Sequence, residues 1–327
     1  MNNRYHIYCD GILGVKTNVN NFKWVYGSVA PNSSYGEYEK CKVKFDICVK
    51  PEKLLSPIGS PDRRFQCFSW NDKNKTVSYR RTFFKYLRVG YDIKVDGNVV
   101  SAEIGENYYR LIKNRVMNLH GIYYLLSDIA NIILLSNGYL TMYSAAVYNK
   151  STNRGAVCFG APNTGKTFTA TKLCENPDYY LVGEDMVISD GRKLYSCPWT
   201  TSYRNNKCKD LDSAGSLKRT QNSAKLRFIE LCELTDIVVL SLGKEEIGFC
   251  KKDISSKACL INGYLFNYYS SPIVKILGFF DDSFCIPWQE QAETMLKNIV
   301  ENSNCLSVQL ETASGFADKI HSKLFGE

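Results

Sequence analysis

Histidine is scarce in this 327-residue chain, which has only His6, His120 and His321. Its thirteen cysteines include no Cys-x-x-Cys pair, so the ligand spacings of a zinc site cannot be assembled. Their odd number, and the apolar settings of Cys48 and Cys158, read as reduced thiols buried as small hydrophobes. A cytoplasmic location is the expectation. Long apolar runs are missing too: the most apolar window, Ile122 to Leu135, contains Ser127, Asp128 and Asn131 and is too short to span a bilayer. Met1-Asn2-Asn3-Arg4 opens directly into mixed polar sequence, unlike a secretory leader. Internal repeats and low-complexity tracts are also lacking. Nor is charge concentrated. The net +8 is spread along the chain, and its longest basic clusters are pairs such as Arg63-Arg64, Arg80-Arg81 and Lys251-Lys252. A nucleic-acid protein more often gathers its charge in a stripe or tail. No nucleic-acid partner and no membrane are therefore expected.

What is present is ordinary globular composition, 44% hydrophobic and 23% charged, which excludes disorder, collagen and simple coiled coil. The length admits two domains, or one large domain with a satellite. The first third reads as β-rich. Val43, Phe45, Ile47 and Val49 share one face at period two, Pro51 ends that strand, and a Pro/Gly/Ser turn region follows at 56–61. A further strand pair is expected at 81–86 and 91–95, with a turn at Asp96-Gly97-Asn98. From about Tyr109 the period becomes helical through Leu125, Leu126, Ile129, Ile132 and Ile133, and Asn137-Gly138 is a stop signal. Strands are expected at 140–147, 156–159 and 236–241, and a terminal helical region from about Pro287. Asp281-Asp282 reads as a turn, and the aromatics of 264–269 as core.

One segment carries chemistry. Gly160-Ala161-Pro162-Asn163-Thr164-Gly165-Lys166-Thr167 satisfies the Walker A pattern, with an apolar strand before it and a helix-capable run after it. Glycines let successive N–H groups turn inward on an anion, and the following helix adds its positive end. Lys166 would reach the β- and γ-phosphates, and the Thr167 hydroxyl would ligate Mg²⁺. Asn163 stands where glycine is common and tolerates a left-handed backbone. At average residue frequencies the pattern arises by chance in roughly one chain in a hundred of this length. Beyond the helix, 179–188 reads as a strand carrying Glu184 and Asp185, and a hairpin turns at Ser189-Asp190-Gly191. In a βαβ unit the two strands lie side by side or nearly so, which can bring a carboxylate to the phosphates.

Taken together, Tyr143-Ser144-Ala145-Ala146-Val147, Gly160 to Thr167, Leu181-Val182-Gly183-Glu184-Asp185 and Cys197-Pro198-Trp199 resemble the core of HPr kinase/phosphorylase-like proteins. The resemblance covers about residues 120–205 well and the tail loosely. It implies an α/β fold: a phosphoenolpyruvate carboxykinase-like mixed-sheet P-loop kinase core with a variable N-terminal module. The corresponding division is a β-rich module over 1–118 and a catalytic domain over 119–327. The resemblance further implies that Gly160, Asn163, Thr164, Gly165, Lys166 and Thr167 hold ATP. Glu184 falls where the family places its general base. Asp185 falls on the second acid, which with Thr167 would hold Mg²⁺. Arg204 is either a neutraliser of phosphoryl charge or a surface arginine. Two positions depart from the family: Tyr143 replaces a histidine, and Glu184 an aspartate. The segment associated with phosphorolysis has no counterpart around Leu226 to Leu231, so neither phosphorolysis nor HPr as substrate is implied.

The expectation is an ATP-dependent phosphotransferase acting on a protein, peptide or small-molecule hydroxyl; self-association into a homo-oligomer is left open. The alternative is a nucleotide-binding regulatory protein with reduced catalysis, suggested by Tyr143 and Glu184. A general ATPase or GTPase is disfavoured because no later apolar strand ends in aspartate. A carboxykinase reaction is disfavoured by the short chain and the scarcity of histidine.

Overall fold

The computed structural model describes residues 3–20, 32–55, 61–113, 122–197, 226–268, 272–280 and 288–326. Backbone contacts divide the chain into two units: Met1–Trp24, Ala30–Ile133 and Ser270–Ile286 in one, and Val25–Val29, Leu134–Tyr269 and Pro287–Glu327 in the other. The division is discontinuous, which the single expected cut after residue 118 is not.

The first unit contains β1 (Arg4–Tyr8), β2 (Leu13–Thr17), β3 (Asn32–Ser33), α1 (Tyr35–Lys40), β4 (Val43–Lys50), β5 (Arg63–Phe65), β6 (Phe68–Asn71), β7 (Thr76–Phe83), β8 (Leu87–Asp96), β9 (Val99–Gly105) and α2 (Glu106–Lys113). Nine strands form one sheet in the order β3-β1-β2-β4-β9-β8-β7-β6-β5. The β2–β4 and β4–β9 pairs are parallel, while β6–β7, β7–β8 and β8–β9 are antiparallel. Alternation works as expected in β4, where Val43, Phe45 and Ile47 are buried, although Val49 is only half-buried. The Asp96–Val99 hairpin also turns where expected, with Gly97 at φ 56°. The preceding hairpin does not. Its turn occupies 84–86, inside the strand expected at 81–86, because Phe84 and Lys85 adopt left-handed backbone at φ 50° and 65°. Neither residue type announces such a turn.

Helix α3 (Ile122–Ser136) leads into the second unit, and it stops as expected, with Gly138 at φ 78° and its N–H donating to the Leu135 carbonyl. There follow β10 (Leu140–Met142), β11 (Ser144–Asn149), β12 (Arg154–Gly160), α4 (Lys166–Leu173), β13 (Tyr179–Gly183), β14 (Val187–Ser189), β15 (Lys193–Tyr195), β16 (Leu231–Leu242), β17 (Glu246–Gly248), α5 (Lys251–Tyr268), α6 (Pro272–Phe280, which belongs to the first unit), α7 (Trp288–Asn302), β18 (Asn304–Leu310) and α8 (Phe316–Ile320). The sheet order is β10-β14-β15-β16-β12-β11-β13, with β18 on β16 and β17 on β18. Strand β12 is central, antiparallel to β11 and parallel to β16. It is covered on both faces, hence its unbroken apolar run. Ala156 and Cys158 pack towards Ala170, Leu173 and Phe316 of α4 and α8, while Val157 and Phe159 pack towards Ile254, Leu296 and Ile299 of α5 and α7. The fold is thus mixed α/β with two mixed sheets. Among the described residues no helix is long and apolar enough to cross a membrane.

Candidate functional site

Strand β12 delivers the chain to the Walker A segment and α4 carries it away. A side chain at Gly160 would put its Cβ 2.4 Å from Thr164 Oγ1, so the close turn requires glycine there. Asn163 takes the left-handed backbone expected of it, at φ 66°, and Gly165 follows at φ 96°. No side chain caps the start of α4, so its first-turn N–H groups are open to an anion. The Thr164 hydroxyl donates to the Ala161 carbonyl at 2.7 Å and braces the loop from inside.

Lys166 is buried at 5% exposure. Its Nζ donates to the carbonyls of Gly160 at 2.7 Å and Ala161 at 3.2 Å and lies 4.3 Å from the centre of the Tyr143 ring. Burial lowers its pKa to about 8, opposed by the nearby charge of Asp185. Tyr143 is placed by a break. The strand expected at 140–147 divides at this residue: β10 pairs with β14, and β11 pairs with β12 and β13. The Tyr143 N–H donates to Asn262 Oδ1 at 2.9 Å, and Asn262 is itself buried in α5. Sequence reasoning noted Tyr143 only as a departure and missed Asn262, which stands 119 positions away. No local pattern signals such a pairing.

The acidic pair reaches the same edge of the sheet. Strand β13 is antiparallel to β11, which is antiparallel to β12, so β12 and β13 run the same way with β11 between them. The strand expected over 179–188 breaks at the acids, with β13 ending at Gly183 and β14 resuming at Val187. Glycine is needed at 183, where a Cβ would meet the Met186 carbonyl oxygen at 2.6 Å. The Thr167 hydroxyl donates to the Glu184 carbonyl at 3.4 Å, tying the start of α4 to this break. The two acids differ sharply in access: Glu184 is 1% exposed, whereas Asp185 is half-buried.

One further acid follows a strand end at this edge: β18, parallel to β16, stops at Leu310, and the exposed Glu311 comes next. Beside Gly160, β16 ends in Leu240-Ser241-Leu242, and its Asp236 lies opposite Ala156 at the far end. Among the described residues no three His, Cys, Asp or Glu side chains gather into a metal cluster. The oxygen donors are the Thr167 hydroxyl and the acidic pair, a hard set that fits Mg²⁺ when phosphates and water complete the shell. Arg204, Pro198-Trp199 and Asp281-Asp282 lie outside the described residues. No protein-family model and no curated protein matches this chain.

Proposed function

We propose that the protein is a Mg²⁺- and ATP-dependent phosphotransferase, with the phosphoenolpyruvate carboxykinase-like core of HPr kinase-like proteins, acting on a hydroxyl of a protein, peptide or small molecule. One observation carries the reading. A buried lysine held by its own loop's carbonyls stands beside an uncapped helix start, and a strand parallel to β12 supplies two carboxylates at the same edge. Bound Mg²⁺-ATP supplies the transferable phosphoryl group. The protein's part is positioning and charge. The N–H groups of Gly165, Lys166 and Thr167 bind the phosphates, while that of Thr164 donates to the Ala161 carbonyl, and Lys166 stabilises charge on the transferred group.

A carboxylate must hold the acceptor hydroxyl and take its proton. The family assigns this to Glu184, but its 1% exposure closes it to an incoming acceptor. The burial supports the reverse assignment, with Asp185 receiving the proton and Glu184 completing the cation site beside Thr167. The same burial, together with Tyr143 in place of histidine, favours as second reading a nucleotide-binding regulator with reduced catalysis. Incubation with γ-labelled ATP, Mg²⁺ and a cell extract separates the two. A labelled acceptor supports the transferase, free phosphate alone an ATPase, and bound ATP without turnover the regulator.

A further inference from the structure

The Arg80-Arg81 pair lies in the first unit, on β7. Strand β6 pairs with β7 as far as Tyr79, and β9 pairs with β8 only from Tyr91 onward. Beyond those points the β7–β8 hairpin has no strand beside it among the described residues, so 81–88 forms a two-stranded arm. Its tip is unusual in three ways. Phe84 is 77% exposed and Tyr86 is 87% exposed, the two most exposed rings among the described residues. Arg81, Lys85 and Arg88 are exposed as well, and among the described residues none of them forms an ion pair; the segment 80–91 contains no acid. Finally, the turn is closed by the Tyr86 N–H donating to the Phe83 carbonyl at 3.2 Å, with Phe84 and Lys85 both left-handed. Asn-Gly suits that backbone far better. Retaining an aromatic and a lysine there sacrifices local stability for what the tip presents.

We propose that this hairpin tip docks the protein onto an anionic lipid surface. Charge complementarity chooses the sign of the partner, and the order of the side chains chooses its kind. The rings of Phe84 and Tyr86 lie at the turn, with Arg81 and Arg88 set back along the two strands. Arg81 stacks over the Phe83 ring at 4.4 Å, which keeps its cation beside the apolar tip. That layering matches a bilayer interface, where aromatic rings enter the headgroup boundary and basic side chains remain among the phosphates. Nucleic-acid bases instead call for a platform on which to stack along a basic groove. The lack of a spanning helix bears on crossing a membrane, not on lying against one.

The test is flotation of the full chain with phosphatidylcholine vesicles, with and without phosphatidylserine. Binding is expected to the anionic vesicles alone and should weaken as salt rises. Arg81→Gln, Lys85→Gln and Arg88→Gln together should reduce it roughly a hundred-fold, about fivefold per cation. Phe84→Asn with Lys85→Gly separates docking from folding. It installs the turn this backbone prefers, so Tm should hold or rise while vesicle binding still falls. No binding to anionic vesicles, equal binding to neutral ones, or wild-type binding by both variants would overturn the proposal. So would a single-stranded oligonucleotide that these substitutions release and anionic vesicles fail to displace.

Discussion

The two ends of β12 handle a buried charge in opposite ways. At its start, the Arg154 guanidinium pairs with Asp236, which is 0% exposed and also accepts from the Thr235 hydroxyl at 2.6 Å. Charge there is cancelled by charge, and the pair binds β12 to β16. At its other end, Lys166 is nearly as deeply buried, yet its direct contacts are two carbonyls and an aromatic ring. The charge of Asp185 acts on it too, favouring its protonated form against the effect of burial. Buried cations without a close anion are costly. The first end is electrostatically finished, and on the proposed function an anionic ligand would complete the second. The contrast separates an end whose charges are paired within the fold from one whose buried cation rests on carbonyls and a ring.

The sharpest way to break this comparison is to unbalance each end in turn. Arg154→Met strands the Asp236 carboxylate and should cost about 3–5 kcal/mol of stability, read from denaturant unfolding. ATP affinity of the folded fraction should not change. Lys166→Ala removes a costly buried cation, so stability should hold, while phosphoryl transfer falls by about 10²–10³, the scale of losing one preorganised charge. Equal stability losses in the two variants would erase the distinction.

Next in size is the acidic pair. Asp185→Asn should reduce transfer by roughly a hundred-fold with nucleotide affinity nearly kept, the scale of losing general-base help. Glu184→Gln should instead shift the Mg²⁺ dependence. The opposite pattern restores Glu184 as base.

A smaller effect follows from the depressed pKa of Lys166. Folding lowers it from 10.5 to about 8, so between those values the unfolded chain holds more protons and stability rises with pH. Below about 8 both states are protonated and the burial penalty is constant. Phosphate binding needs the charged form, so ATP affinity should fall as pH passes 8 upward, by up to tenfold per unit. Calorimetry across that window measures it, and an affinity unchanged to pH 10 would sink the assignment.

The phosphate loop was legible because its information is contiguous: Gly160, Asn163, Gly165 and Lys166 are spaced by the turn itself. The α3 stop and the β4 face were legible for the same local reason. Long-range pairing was not. That β11 lies between β12 and β13, or that Arg154 finds Asp236 82 positions later, leaves no periodic trace. The 84–86 turn was hidden because Phe and Lys stand where Asn and Gly are the usual signals. Neighbouring acids look alike in sequence, so the full burial of Glu184 against the partial burial of Asp185 was invisible too.

The smallest effect tests whether Tyr143 is a positioning residue for Lys166 or a spacer. Its ring centre lies 4.3 Å from Nζ, within reach of the attraction between a cation and the ring face. The hydroxyl is not needed for that attraction, and the backbone N–H that anchors the residue to Asn262 belongs to any side chain. Tyr143→Phe should therefore leave ATP affinity and its pH profile nearly unchanged. Tyr143→Leu keeps the apolar bulk but loses the quadrupole, which is worth about 0.5–2 kcal/mol to a cation, more when desolvated. The protonated lysine is the form that loses support, so its pKa should drop further below 8 in the leucine variant. ATP affinity should then begin to fall at lower pH, with about two- to thirty-fold weaker binding at pH 8. A purely steric role predicts something else: an equal loss at every pH, with phenylalanine and leucine behaving alike.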